Sequence, residues 1–176
     1  MFVEKEIENN EELRSSSMFN KKGLLELANT YHQIYIHVIF SVRNREYVIP
    51  KNKKEELHKY ITGIVKQNQC KLIAINSMPD HIHIFFGLSP SKCISDIVKD
   101  IKIASTDKIK EWIKTNFHWQ DGFGAFSYSR SQIDKVVKYI MNQEEHHKNH
   151  SFKEEYIDFM KNFGIKYDDK YLFDIK

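Results

Sequence analysis

The run Asn76-Ser-Met-Pro-Asp-His-Ile-His-Ile-Phe-Phe-Gly-Leu88 reads as a turn, Met78-Pro79-Asp80, feeding a β-strand from His81 to about Phe86. Side chains alternate between the two faces of a strand. Ile82, Ile84 and Phe86 therefore point one way, and His81, His83 and Phe85 the other. The first set suits a core beneath a sheet. The second puts two imidazoles about 6.5–7 Å apart along the strand, close enough for both rings to converge on one ion. Two such His residues alone are better explained as polar groups on the solvated side of a half-buried strand, so the rest of the chain has to decide.

Upstream, Gln33–Val42 alternates in the same way. Ile34, Ile36, Val38 and Phe40 face one side, and Gln33, Tyr35 and His37 the other, as expected of a long half-buried strand. Pro50 suits the first turn of a helix, and Leu57, Tyr60, Ile61, Ile64 and Val65 form its apolar stripe. Leu72–Ile75 reads as a second strand, in a hairpin with the His strand. After Gly87 and Pro90, a second amphipathic helix runs from about Ile94 to Lys114 and buries Ile97, Val98, Ile101, Ala104 and Trp112. The aromatic, Gly-broken segment Phe117–Phe126 holds a short strand or an edge turn. A third helix covers residues 131–147, and a fourth about Phe152–Phe163. The order β-α-β-β-α-(β)-α predicts an α+β, ferredoxin-like (RNA-recognition-motif-like) antiparallel sheet with helices on one face, plus C-terminal helices. The other face, with Tyr35, His37, His81 and His83, is then expected to lie open to an extended ligand.

A chain of 176 residues with 41% hydrophobic and 29% charged residues is an ordinary globular protein, ample for one core. It has no membrane-length apolar run and no apolar signal core, and Cys70 and Cys93 have no metal-type spacing, so a reducing cytoplasm is the expected home. The net charge of +3 does not demand a polyanion, but lysines cluster before and after the His strand, which permits a nucleic-acid face. Residues 1–27 are acidic, Asn-rich and without sustained periodicity, and are expected to form a poorly ordered extension. The expected organisation is this extension, a domain over residues 28–150, and a C-terminal helix and tail over 151–176.

In the third helix, Ile133, Val136, Val137 and Ile140 make the apolar face. Tyr139 and Gln143, four apart, stack beside it. Such a Tyr either packs with its hydroxyl in water or serves as a nucleophilic phenol. A phenol has a pKa around 10 and needs a polarised phosphate or a nearby base to attack at neutral pH.

Five segments in order now resemble one family. They are Tyr31-His-Gln-Ile-Tyr-Ile-His-Val-Ile-Phe40, Met78-Pro-Asp-His-Ile-His83, Trp119-Gln-Asp-Gly-Phe-Gly-Ala-Phe-Ser127, Tyr139-Ile-Met-Asn-Gln-Glu-Glu-His-His147 and Tyr167-Asp-Asp-Lys-Tyr171. The chain resembles the HUH-type single-tyrosine transposases of the insertion-sequence-two-hundred family and their relatives associated with repetitive extragenic palindromes. That resemblance implies that His81 and His83 bind a divalent ion, Mg²⁺ or Mn²⁺, and that Gln143 completes the metal site. It also implies that Tyr139 attacks a scissile phosphate in single-stranded DNA, leaving a 5′-phosphotyrosine and a free 3′-OH. The implied DNA is a hairpin with single-stranded flanks, and the implied assembly is a homodimer. The chain departs from the family in residues 1–27 and in Lys102-Ile-Ala-Ser105, where relatives often have Lys-Gly-Ser.

Other features are read more plainly. His146 and His150, at i, i+4, are expected to be a polar helix end that complements the helix dipole. Gly122-Phe-Gly124 lacks any phosphate-loop pattern. Trp119, Phe123 and Phe126 are either base-stacking platforms or core. The alternatives to a transposase are a non-catalytic nucleic-acid-binding module on the same sheet, and a metal-dependent hydrolase that uses water in place of Tyr139.

Overall fold

The computed structural model describes residues 31–168 and Leu172; the expectations for residues 1–27, and Asp169, Lys170 and Tyr171 of the closing run, lie outside the described residues. Four strands, β1 (Tyr35–Ser41), β2 (Lys71–Ser77), β3 (His81–Gly87) and β4 (Gly124–Tyr128), pair antiparallel in the order β2-β3-β1-β4. This is the ferredoxin-like arrangement expected from the sequence. The crossover helices are α1 (Lys54–Gln67) and α2 (Ile94–Ile113). Pro50 does not enter α1; it precedes a 3₁₀ turn, Lys51–Lys53, that leads into the helix.

The alternation read from β1 and β3 holds. Val38, Phe40, Ile82, Ile84 and Phe86 are buried with Leu57, Ile61 and Val65 of α1 and Ile97, Val98 and Ile101 of α2. Tyr60, placed by periodicity in the α1 stripe, is exposed instead. Trp119 and Phe126 are buried, and Phe123 packs against the main core. Trp119 Nε1 donates to Ser105 Oγ at 2.9 Å and its ring stands edge-on to Phe40 and Phe117. Trp119 and Phe126 are therefore core residues rather than platforms for bases.

The second sheet face is not open, which corrects the sequence expectation. Two layers cover it. Ala74 and Phe85 pack against Val136 and Ile140 of α3 (Ile133–Met141), while Ile39 and Phe126 pack against Phe152, Tyr156 and Met160 of α5 (Phe152–Asn162). Between them lies the single turn α4 (Gln143–His146). The apolar residues Ile39, Phe85 and Phe126 on that face are the reason. Left in water, each would forfeit on the order of 2 kcal/mol of burial.

The third helix of the sequence reading is thus two pieces, broken at Asn142. Asn76 Nδ2, from β2, donates to Ile140 O at 2.7 Å. That satisfies a carbonyl at the helix end from outside the helix, and the chain can turn there. Ser129 and Gln132 form a capping box at the other end, ahead of α3.

Helix α5 lies close on β4 because residue 124 is glycine. A Cβ there would come within 2.9 Å of the Phe126 ring and 3.0 Å of the Tyr156 hydroxyl. Gly124→Ala should therefore lower stability by about 1–3 kcal/mol through overpacking. Urea unfolding would measure this, and an unchanged midpoint would show that the α5–β4 contact is looser than described.

Candidate metal and tyrosine site

Strand β3 lies between β2 and β1, and it carries His81 and His83 on the face covered by α3 and α5. Each ring is oriented by a partner at Nδ1. Arg45 Nη2 donates to Asp80 Oδ2 at 2.7 Å, and Asp80 Oδ1 lies 2.7 Å from His81 Nδ1. The Asp80 carboxyl is held below its usual range. Burial alone would raise it, but the contacts of His81 and Arg45 outweigh that effect. An ionised carboxylate only accepts, so His81 Nδ1 carries the hydrogen and Nε2 presents a lone pair. The His81 ring stacks on Phe152 at 4.1 Å between centroids. His83 Nδ1 lies 3.1 Å from His37 Nε2, and His83 Nε2 points into the site. Burial drives the pKa of His37 down to about 3 and those of His81 and His83 down as well, so all three are neutral.

Facing the pair are groups from the C-terminal part of the chain. His147 Nδ1 donates to the His150 carbonyl at 2.8 Å, and His147 Nε2 sits 3.1 Å from His81 Nε2. Glu155, on α5, is 3% exposed. Its Oε1 accepts from the Tyr139 hydroxyl and from Gln143 Nε2, the latter at 2.9 Å. Its Oε2 lies 3.2 Å from His147 Nε2, and its Oε1 3.6 Å from His83 Nε2. Burial would raise the Glu155 pKa, but His83, His147, Tyr139 and His81 together hold it far below the usual carboxylate range. The Tyr139 phenol is shifted upward, first by burial and then by the Glu155 charge.

The sequence-predicted residues His81, His83, Gln143 and Tyr139 thus come together around Glu155. His146 stacks on His150 at 5.0 Å and also stands edge-on to the Tyr139 ring at 5.4 Å. Tyr128 lies on β4 against His37, its hydroxyl pushed up to about 12 by burial. Two residues were missed. His81, His83, His147 and Glu155 each offer a ligand atom, all within 4.8 Å of one another. The signal for Glu155 was available: it is an acid on the buried face of an amphipathic helix, between Phe152 and Tyr156. His147 carried no such mark.

A cation fits this donor set. Among the described residues, the buried side-chain atoms without a hydrogen-bond partner include His83 Nε2, Gln143 Oε1 and Glu155 Oε2, and these three can act as acceptors. Buried acceptors without donors are costly unless something positive satisfies them.

Residues 30–143 match the family described as "Transposase IS200 like". The chain belongs to this family. It is 27% identical over 119 residues to the ISDra2 transposase TnpA of Deinococcus radiodurans, covering 64% of this chain and 85% of that protein. The REP-associated tyrosine transposase solved with a REP hairpin shares its fold, at TM-score 0.52 and 18% identity, over 70% of this chain and 74% of that one. A Deinococcus radiodurans crystal structure described as a transposase does so as well, at TM-score 0.55 and 23% identity, over 68% and 98%. The protein is therefore a transposase of the IS200-like, DNA-cleaving class, a class that depends on metal ions. Among the described residues, no helix of the transposase is long and apolar enough to cross a membrane.

The buried imidazoles make stability depend on pH. His37, His81 and His83 have folded pKa values below the unfolded value of 6.5, so the unfolded chain binds more protons as pH falls below 6.5. Their contribution is present above that pH and is lost on acidification; His147, shifted upward, opposes it in part. From pH 7 to 5, one neutral-held imidazole costs on the order of 2 kcal/mol. The Tm of chelator-treated protein should fall by several degrees over this range. A flat Tm would mean that the rings are not held neutral.

Proposed function

We propose that this transposase cuts and rejoins single-stranded DNA at hairpin-containing element ends through a 5′-phosphotyrosine at Tyr139. His81, His83 and Gln143 hold a divalent ion, Mg²⁺ or Mn²⁺. The observation that carries the proposal is the meeting of the Tyr139 hydroxyl with the unpartnered Nε2 of His83 at one buried carboxylate. When bound, the ion supplies charge neutralisation and polarisation at the scissile phosphate.

The residues of the chain do the rest. The Tyr139 oxygen attacks phosphorus and the P–O3′ bond breaks, leaving the 3′ oxygen to take up a proton. The phenol proton passes to Glu155 Oε1, which already accepts its hydrogen bond. One phosphodiester replaces another, so a second 3′-OH can reverse the step and rejoin strands without an external energy source. Hairpin recognition is supported by the neighbour solved with a REP hairpin. Lys99 and Lys110 line a groove beside Gln120 and Phe123 and offer cationic approach to phosphates. The ammonium of Lys102 is tied to the carbonyls of Gln120 and Gly122.

Labelled single-stranded hairpin DNA with Mn²⁺, followed by a denaturing gel, tests the chemistry. The wild type should form a covalent adduct. Tyr139→Phe should bind hairpin within a few-fold of wild type and form none, and His81→Ala or His83→Ala should lose cleavage while retaining binding. An adduct in Tyr139→Phe overturns the nucleophile. Cleavage without an adduct points to water as the attacking group, and retention alone to a binding module.

The homodimer belongs to the same proposal. The sequence offered two edges, Gln33–Val42 and the Phe123–Phe126 region, but β1 lies inside the sheet, so of these only β4 is an edge. Tyr139 and the His pair meet within one chain, which supports sites formed in cis. Mixing a His81→Ala/His83→Ala chain with a Tyr139→Phe chain should therefore stay inactive. Recovered cleavage would mean that tyrosine helices are exchanged between subunits. Sedimentation as an active monomer would remove the dimer.

A further inference from the structure

His147 and Glu155 lie beyond residues 30–143, the stretch that matches the family, and the reading above gives neither a part in holding the ion. We infer that both are metal ligands, Glu155 binding the ion through Oε2 while its Oε1 holds the Tyr139 hydroxyl. The inference rests on the metal reading above and adds the donor set that makes the site.

Three observations carry it. The first is spacing. Ligands about 2.1 Å from one ion lie about 3.0 Å apart at right angles and about 3.4 Å apart at tetrahedral angles. His81 Nε2 and His147 Nε2 are 3.1 Å apart, and His147 Nε2 and Glu155 Oε2 are 3.2 Å apart.

The second is hydrogen placement. Asp80 takes the Nδ1 hydrogen of His81 and the His150 carbonyl takes that of His147, so two neutral rings would confront each other lone pair to lone pair. Only a positive species between them resolves this. Outer acceptors on both rings are also what metal-bound imidazoles use to fix their orientation.

The third is the Glu155 carboxylate itself. Oε2 is buried without a hydrogen bond, while Oε1 accepts two. One oxygen is committed to the phenol and the amide, and the other is presented to the imidazoles. Three imidazole nitrogens beside the Glu155 carboxylate and the Gln143 amide oxygen suit Mn²⁺ and its first-row neighbours, whereas Mg²⁺ prefers oxygen and water. The donor set therefore also chooses between the two ions.

Metal binding by the DNA-free full chain tests this without reference to activity. Titration calorimetry should give one Mn²⁺ per chain, bound at least tenfold more tightly than Mg²⁺. His147→Ala and Glu155→Gln should each weaken Mn²⁺ at least tenfold, and His81→Ala should abolish binding. If His147→Ala and Glu155→Gln bind as wild type does while His81→Ala does not, this inference falls and the metal reading stands. If His81→Ala binds as wild type does, the metal reading itself falls. Should a variant fail to fold, pulsed EPR of Mn²⁺ in the wild type counts coupled imidazoles. Three support the inference and two overturn it.

Discussion

A carboxylate buried beneath a helix, with two histidine nitrogens within 4 Å of its oxygens, is the constraint on which this part of the molecule turns. A lone buried anion is prohibitively costly, so Glu155 has to be met by donors or cations wherever α5 docks. Tyr139 and Gln143 donate to it and His147 lies beside it, all three from the stretch that runs from α3 through α4. The apolar residues of α5 then follow. Phe152 stacks on His81, Phe159 stands edge-on to His37, and Tyr156 passes over Gly124 where no side chain intervenes. Docking the helix and assembling the polar cluster are one event, because neither the acid nor the orphaned lone pairs are tolerable apart.

The tyrosine is held by a second route that is independent of the acid. Asn76 faces His83 across the β2–β3 ladder and reaches the last turn of α3, so the strand beside the His pair also fixes the helix that carries the phenol. Phenol and imidazoles thus share one backbone frame, which fixes the distance between them.

Much of this was readable in advance because strand alternation is a strict period. Once His81 and His83 were placed opposite Ile82 and Ile84, the core face, the ring face and the antiparallel order followed. The covered second face was less accessible to such reasoning. It depends on α3 and α5 folding back over Ile39, Phe85 and Phe126, long-range contacts that no local period announces. The break at Asn142 was hidden for the same reason, since the side chain that caps the helix end is Asn76, far away in sequence. Glu155 was visible as an acid on an apolar helix face, but its partners were not, and His147 looked like any residue in a polar helix end.

Helix α5 comes after the tyrosine in the chain, and this gives synthesis a direction. A nascent or prematurely terminated polypeptide that stops short of residue 155 already contains the His strand and the phenol, yet lacks the acid that grips that phenol. Helix α5 thus acts as a completion signal: only a chain translated through it sets the Glu155 carboxylate against the phenol.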